Sequence, residues 1–381
     1  MSVAGNIKQF LPGSSRSLHA VHRDVADMHD EVHIEIAEIK RELGELYRRV
    51  EQADNGINMN LNYKYGLLDS SVGNVASALD AHDTHMKMFA WENYRKDGES
   101  LEDAKKRFFR TLPKATGGMR LLQLGCAKLL GEFDSLCKAN DIPYWINFGT
   151  LIGALRHGGF IPWDDDTDLG IMRSDLDRLM ELVGDNERFR ISVVYDWYVH
   201  CRQVRLSYAD ESIPCFLDLF IYDWAPTNDN AKAERQRELR REMVAKMDAD
   251  ERLSFWRDEP YYTGEKACLI QSYYDECLTR SRSEGLICDS SDSDGVMWSI
   301  DNLDDGKQKR WVYSVKDLMP FQTLEFEGVS LQAPGNPDVF LRSRYGDYLE
   351  LPPDINTHFE HVNHDDIEVG AANEALRGLL D

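Results

Sequence analysis

Three aspartates in one short stretch have the types and the spacing that could do chemistry. Asp164, Asp166 and Asp168 alternate just before an apolar, strand-like segment, with Asp165 and Thr167 between them. In extended chain, residues two apart face the same way, so Asp166 and Asp168 share a face, and Asp164 joins them if the strand begins early. Crowded carboxylates repel one another, and hard oxygen ligands favour Mg²⁺ or Mn²⁺. We therefore interpret the cluster as a metal site, the alternative being an acidic surface loop.

The segment before these acids has the features of an anion-binding turn. A short apolar run over residues 145–148 predicts a buried strand, and Gly149 ends it. Thr150 is predicted to cap a short helix over residues 151–156. The unpaired N–H groups and the positive dipole end of such a helix favour an anionic group such as a phosphate.

A further carboxylate lies inside an apolar segment later in the chain. Residues 215–224 read CFLDLFIYDW, which places Asp218 in a mostly apolar run. A buried acid needs a metal or a cationic partner to offset its desolvation, so Asp218 is a candidate third ligand. The alternatives are an exposed aspartate on an edge strand and Asp223 in its place. Arg205, in the preceding strand-like segment, could hold a phosphate bidentately or be a surface arginine.

Composition restricts the class of protein. The chain has 381 residues, 42 % of them hydrophobic, which is enough for a sizeable core. Its net charge of −23 argues against a nucleic acid or an anionic membrane surface as the main partner. The seven cysteines lack any C-x-x-C spacing, which indicates reduced thiols. No apolar run reaches the length of a membrane span, so we expect a chain that is neither secreted nor membrane-spanning.

The stretch around the acids resembles the signature of the LicD family of phosphocholine transferases, which is related to fukutin and fukutin-related protein. The residues that carry the resemblance are Gly149, Thr150, Leu151, Gly153, Ala154, Arg156, Gly159, Phe160, Ile161, Pro162, Trp163, Asp164, Asp165, Asp166 and Asp168. Residues 321–326, a Glu327-Gly328 turn and residues 329–333 predict a β-hairpin. A second pattern of the family, such a hairpin followed by a helix running into Y-G-D-Y, is matched by Arg342, Arg344, Tyr345, Gly346, Asp347 and Tyr348. The similarity covers roughly residues 120–358, so the N-terminal third lies outside it.

The resemblance implies an α+β fold with a nucleotidyltransferase-like mixed sheet flanked by helices. It implies that Asp166, Asp168 and Asp218 hold Mg²⁺ or Mn²⁺. Asp164 is then the first candidate for the base that takes a proton from the acceptor hydroxyl, and His157 is the second. The groups expected to bind the donor phosphates are Gly149, Thr150, Arg156, His157 and Arg205.

The activity implied is transfer of a phospho-head group, such as phosphocholine or phosphoribitol, from a CDP-linked donor to a glycan hydroxyl. CMP is released in this reaction. One alternative is a glycosyltransferase that uses its D-x-D motif and a nucleotide sugar, and another is a non-catalytic oligomeric scaffold. The missing membrane anchor favours a cytoplasmic, bacterial-type member, either free or peripheral at the inner face of the membrane.

The order of segments predicts five parts. They are a flexible N-terminus over residues 1–17, an amphipathic helix over 18–53, a linker with short helices over 54–115, the catalytic domain over 116–358 and a tail over 359–381. The apolar positions of the helix recur at steps of three and four, which predicts a coiled coil and a homo-oligomer. The alternative is a helix packed against the catalytic domain.

The tail contains three histidines. On a helix His358, His361 and Asp365 could meet and hold a metal, whereas the role of His364 is left open. The resembled family often has a histidine after Y-G-D-Y, which would bring His358 or His361 near the site, but a solvated tail is the favoured interpretation.

Overall fold

The computed structural model describes residues 15–50, 58–184, 186–196, 201–301, 311–350, 361–362 and 364–381. The chain divides into two compact units, Met1–Pro113 and Lys114–Asp381.

The described part of the first unit is helical. It contains α1 (Ser15–Val50), α2 (Asn58–Tyr94) and α3 (Leu101–Arg110). The long helix predicted from the apolar spacing is present as α1, whereas the coiled coil stays a prediction. Over residues 54–115 the structure differs from the predicted linker with short helices, because α2 alone has 37 residues. No proline interrupts residues 58–94, and isolated glycines weaken a helix by only about 1 kcal/mol each.

The second unit contains the remaining helices and all the strands of the described residues. In chain order they are α4 (Gly117–Ala139), β1 (Trp145–Ile146), α5 (Phe148–Arg156), β2 (Asp168–Met172), α6 (Arg173–Gly184), β3 (Phe189–Asp196), β4 (Cys201–Tyr208), β5 (Phe216–Ala225), α7 (Asn230–Ala249), α8 (Gly264–Ser283), β6 (Gly295–Trp298), β7 (Val312–Ser314), α9 (Val315–Leu318), β8 (Gln322–Phe326), β9 (Val329–Ala333), α10 (Pro337–Tyr345), α11 (His364–Val369) and α12 (Ala371–Leu380).

Seven of these strands form one mixed sheet, in which β5 is the central strand. The order along the main path is β1-β2-β5-β4-β3, and β6 joins β5 to β7. Strands β2 and β5 are parallel, and the other pairs are antiparallel. Strand β4 pairs with the first half of β5, and β6 pairs with its second half. The α+β class and the mixed sheet flanked by helices are therefore confirmed.

The apolar core is built on the two parallel strands. Leu169 and Ile171 of β2 and Leu217, Leu219 and Ile221 of β5 are completely buried. Helix α4 adds a stripe of buried side chains to this core, consisting of Leu122, Leu129, Leu130 and Phe133. Alternation along β5 then places Asp218 on the opposite face from its apolar neighbours.

The turn before the acids differs in detail from the sequence prediction. Strand β1 covers only two residues, and α5 begins at Phe148 with Asn147 as its N-cap. Gly149 and Thr150 therefore lie inside the first turn of α5, and Thr150 is not the cap. The hydroxyl of Thr150 instead accepts a hydrogen bond from the backbone N–H of Asp168, at 2.8 Å.

A separate two-stranded hairpin is present as the sequence predicts. Strands β8 and β9 pair around Glu327 and Gly328, both with positive φ (49° and 84°), as a tight hairpin turn requires. The carboxylate of Glu327 forms ion pairs with Arg120 of α4 and with Lys114. It also accepts a hydrogen bond from the backbone N–H of Phe160, at 3.2 Å. The hairpin is thereby joined to the loop that carries the acids.

Candidate active site

Two neighbouring strands bring the predicted carboxylates together. Asp168 begins β2, and in the parallel register of β2 with β5 it lies directly beside Asp218. Asp166 precedes β2 by two residues and turns toward the same place. Ligand atoms of Asp166, Asp168 and Asp218 all lie within 4.8 Å of one another. The two separated motifs thus meet because their strands are adjacent and parallel.

The environment of these carboxylates suits a hard divalent cation. Asp168 is 9 % exposed and Asp218 is 5 % exposed. Burial raises the pKa of Asp168, and the charges of Asp166, Asp164 and Asp218 raise it further. Burial also raises the pKa of Asp218, against which Arg205 acts to lower it. Three oxygen donors with mutual repulsion fit Mg²⁺ or Mn²⁺, because a cation removes both the repulsion and the need for protons.

Helix α5 also holds Asp168. The backbone N–H of Gly149 donates a hydrogen bond to Oδ2 of Asp168, at 2.9 Å. A Cβ at position 149 would lie 2.8 Å from Oδ2 of Asp164 and 3.3 Å from Oδ2 of Asp168, so no larger residue fits without displacing a carboxylate. Gly149 and Thr150, which are predicted to bind a phosphate, are thus hydrogen-bonded to the carboxylate and the backbone of Asp168.

Arg205 is the cationic partner of Asp218. Its Nε lies 2.7 Å from Oδ1 and its Nη2 lies 3.3 Å from Oδ2 of that carboxylate, from the neighbouring strand β4. The guanidinium also packs on the ring of Phe216, 4.1 Å from its centre. The sequence assigned Arg205 to the donor phosphate, whereas the structure pairs it with a candidate metal ligand.

Asp164, the predicted base, is buried within the cluster. It is 7 % exposed, and burial raises the pKa of its carboxyl well above the usual value. The charges of Asp166 and Asp165 raise this pKa further, and Arg156 opposes them.

Of the two basic residues at the end of α5, Arg156 is buried and His157 is half-buried. Arg156 is 3 % exposed and donates hydrogen bonds to the carbonyls of Tyr348 (2.9 Å) and Glu350 (3.1 Å). Burial lowers its pKa to about 10, partly offset by Asp164. Burial and Arg156 lower the pKa of His157 to about 3, so His157 is neutral and weakly basic. Arg156 thus anchors the segment after α10, and its role at the donor phosphates stays a prediction.

A histidine from the tail belongs to the site, and sequence reasoning missed it. The backbone N–H of His361 donates to Oδ2 of Asp165 (2.7 Å), and its Nδ1 lies 2.8 Å from Oδ1. Its Nε2 lies 3.7 Å from Oδ2 of Asp166. Burial would raise the pKa of Asp165, but the hydrogen bonds from His361 lower it. Asp165, Asp166 and His361 form a second group close enough to hold a cation.

Little in the sequence distinguished His361 from its neighbours. The one signal was a histidine shortly after the Y-G-D-Y motif. His358 lies outside the described residues, and of His364 the structure describes only the backbone, at the start of α11.

Across the described residues, no helix is both long enough and apolar enough to cross a membrane.

Comparison with known proteins identifies the domain that contains this site. Residues 141–256 match the family model described as LicD/FKTN/FKRP, nucleotidyltransferase domain. The lipopolysaccharide cholinephosphotransferase LicD of Haemophilus influenzae is 28 % identical over 262 residues, which are 64 % of this chain and 96 % of that protein. The ribitol 5-phosphate transferase FKRP of Mus musculus is 31 % identical over 107 residues, 26 % of this chain and 22 % of that protein. In the human FKRP the identity is 47 % over 47 residues, 12 % of this chain and 10 % of that protein.

The matched region contains the carboxylates of both strands, β2 and β5, together with α5 and Arg205. The chain therefore carries a domain of the LicD family and is homologous to the cholinephosphotransferase LicD and to the ribitol 5-phosphate transferase FKRP.

Proposed function

We propose that the chain is a metal-dependent phosphotransferase of the LicD type. It moves a substituted phosphate, such as phosphocholine or phosphoribitol, from a CDP-linked donor to a hydroxyl of a glycan, and CMP is released. The names of two relatives support this class, since one is a cholinephosphotransferase acting on lipopolysaccharide and the other a ribitol 5-phosphate transferase. The proposal includes a nucleotidyltransferase-like fold for the second unit.

The observation that carries the proposal is the convergence of Asp166, Asp168 and Asp218 within 4.8 Å. These three residues would hold the cation, Mg²⁺ or Mn²⁺. When bound, such a cation neutralises charge that develops on phosphate oxygens during phosphoryl transfer.

The chain's own groups position the carboxylates for this role. The N–H of Gly149 and the hydroxyl of Thr150 fix the side chain and the backbone of Asp168. Arg205 fixes Asp218 through two hydrogen bonds, and it is placed to contact a donor phosphate once a cation takes over that carboxylate. Asp164, when deprotonated, is the candidate base for the acceptor hydroxyl.

A donor screen tests the reaction class. The full chain is incubated with Mg²⁺, a glycan acceptor and radiolabelled CDP-choline, CDP-ribitol, CDP-glycerol or a UDP-sugar. We expect label transfer from a CDP-linked donor with its phosphate, and a loss of more than a hundredfold in rate for Asp168→Asn. Asp210→Asn, in an exposed loop between β4 and β5, is the matched control and is expected to act as wild type.

Two outcomes would contradict the proposal. Transfer of a sugar without phosphate would favour a glycosyltransferase. Product yield at the background level in both the wild type and Asp168→Asn would favour a non-catalytic scaffold that assembles through α1.

A further inference from the structure

A cluster of aromatic side chains lies beside the carboxylates on the same face of the sheet. Phe220 follows Asp218 by two positions on β5, so their side chains share a face, about 7 Å apart along the strand. The ring of Phe148 lies 4.7 Å from that of Phe220 and 5.4 Å from that of Trp298. We call Phe148, Phe220 and Trp298 the aromatic platform.

The backbone places Phe148 in this position at a conformational cost. Its φ is +36°, in the left-handed region that residues other than glycine rarely occupy. The next residue is Gly149, whose N–H holds Asp168. The same turn of the chain thus positions both the Phe148 ring of the platform and Asp168, a candidate metal ligand.

Arg344, from the last turn of α10, covers the platform. Its guanidinium carbon lies 4.1 Å from the ring centre of Phe148 and 4.7 Å from that of Trp298. Phe148 is only 6 % exposed and Trp298 only 5 % exposed, whereas Arg344 is half-buried. The arginine therefore forms the outer layer of the stack, and packing against the rings restricts its motion.

We propose that Arg344, held on the aromatic platform beside the carboxylates, binds the phosphates of a nucleoside diphosphate ester. A guanidinium presents its N–H donors in one plane, which matches two oxygens of a phosphate. An anionic donor approaching Asp166, Asp168 and Asp218 meets strong repulsion, which a cation fixed next to them reduces. Stacking lowers the entropy that is lost on binding. This inference rests on the function proposed above and adds a residue from outside the matched domain to the donor site.

Calorimetric titration of the full chain with CDP, in the presence of Mg²⁺, tests the inference. We expect Arg344→Met to weaken CDP binding about ten- to hundredfold, the effect of losing a charge-assisted bidentate contact. Arg344→Lys keeps the charge and loses the planar fork, so about tenfold weaker binding is expected. Arg342→Met is the matched control, because Arg342 lies on the same helix turn, is exposed and pairs with Asp338 of its own helix.

The outcomes separate this inference from the proposed function. Weaker CDP binding by both Arg344 variants, with Arg342→Met equal to wild type and melting temperatures preserved, supports it. Wild-type affinity in either Arg344 variant, while Asp168→Asn loses CDP, overturns the inference and leaves the proposed function standing. Failure of the wild-type chain to bind CDP overturns both.

Discussion

Replacing Arg205 with methionine would distinguish two effects on Asp218. One is the ion pair with Arg205, and the other is the proposed cation that takes the place of this arginine. The substitution removes both hydrogen bonds to the Asp218 carboxylate, which lies beside Asp168 and whose side chain is only 7 % exposed in the wild-type structure. Breaking one side of a buried ion pair costs about 3–5 kcal/mol. Arg205 itself is 22 % exposed, so we take the lower end, about 3 kcal/mol.

The expected result is a lower melting temperature without divalent cations and a larger response to them. At roughly 2–4 °C per kcal/mol for a domain of this size, the loss corresponds to about 6–12 °C. A cation at a hundred times its dissociation constant returns about 2.7 kcal/mol to the folded state. Because the variant has no arginine competing for Asp218, Mg²⁺ should raise its melting temperature more than that of wild type.

Thermal melts with and without millimolar Mg²⁺ measure both effects. Arg190→Met is the control, because Arg190 pairs with Glu211, which is 78 % exposed, and an exposed pair contributes at most about 1 kcal/mol. Equal Mg²⁺ shifts in wild type and Arg205→Met would refute the reasoning. The reasoning would also be refuted if Arg205→Met melted at the wild-type temperature in the absence of Mg²⁺.

Three further predictions concern the rest of the chain. The ion pairs of Glu327 lower its pKa to about 2 against the opposing effect of burial, so Glu327→Gln should cost about 2 kcal/mol at neutral pH. This loss should disappear as the pH falls from about 4.5 toward 2, since a lowered pKa stabilises the fold only above that range. His361→Ala should destabilise the fold by about 1–3 kcal/mol and slow transfer, because it removes the side-chain partner of the buried Asp165 carboxylate. Deletion of residues 1–54 should lower the oligomeric state measured by light scattering, because the predicted coiled coil lies there.

Each of these predictions has its own control or contrary result. Glu325→Gln changes an exposed carboxylate on the same hairpin and should be nearly neutral in chemical denaturation at every pH. A Glu327→Gln penalty that persists at pH 2 would contradict the assignment of its ion pairs. Wild-type turnover in His361→Ala would contradict a role of His361 in the site. An oligomeric state unchanged by the deletion would contradict the coiled coil.

Local patterns in the sequence were sufficient to identify the acids and most of the elements that carry them. Alternation placed Asp166 and Asp168 on one face, and an aspartate inside an apolar run marked Asp218 as a buried charge in need of a partner. The hairpin of β8 and β9 was readable from its turn residues. These features depend on the two-residue period of a strand and on turn geometry, which a few neighbouring residues encode.

The tertiary structure decided which groups contact one another. The register of β2 with β5 sets Asp168 beside Asp218, and the pairing of β4 with β5 gives that aspartate Arg205 as a partner. His361 reaches Asp165 from 196 residues away, an approach that local spacing does not encode. Folding also gives the buried Arg156 two backbone carbonyls, of Tyr348 and Glu350, as hydrogen-bond partners. Strand pairing and burial are set by packing across the whole domain, so the roles of these charged residues emerge only when the chain is folded.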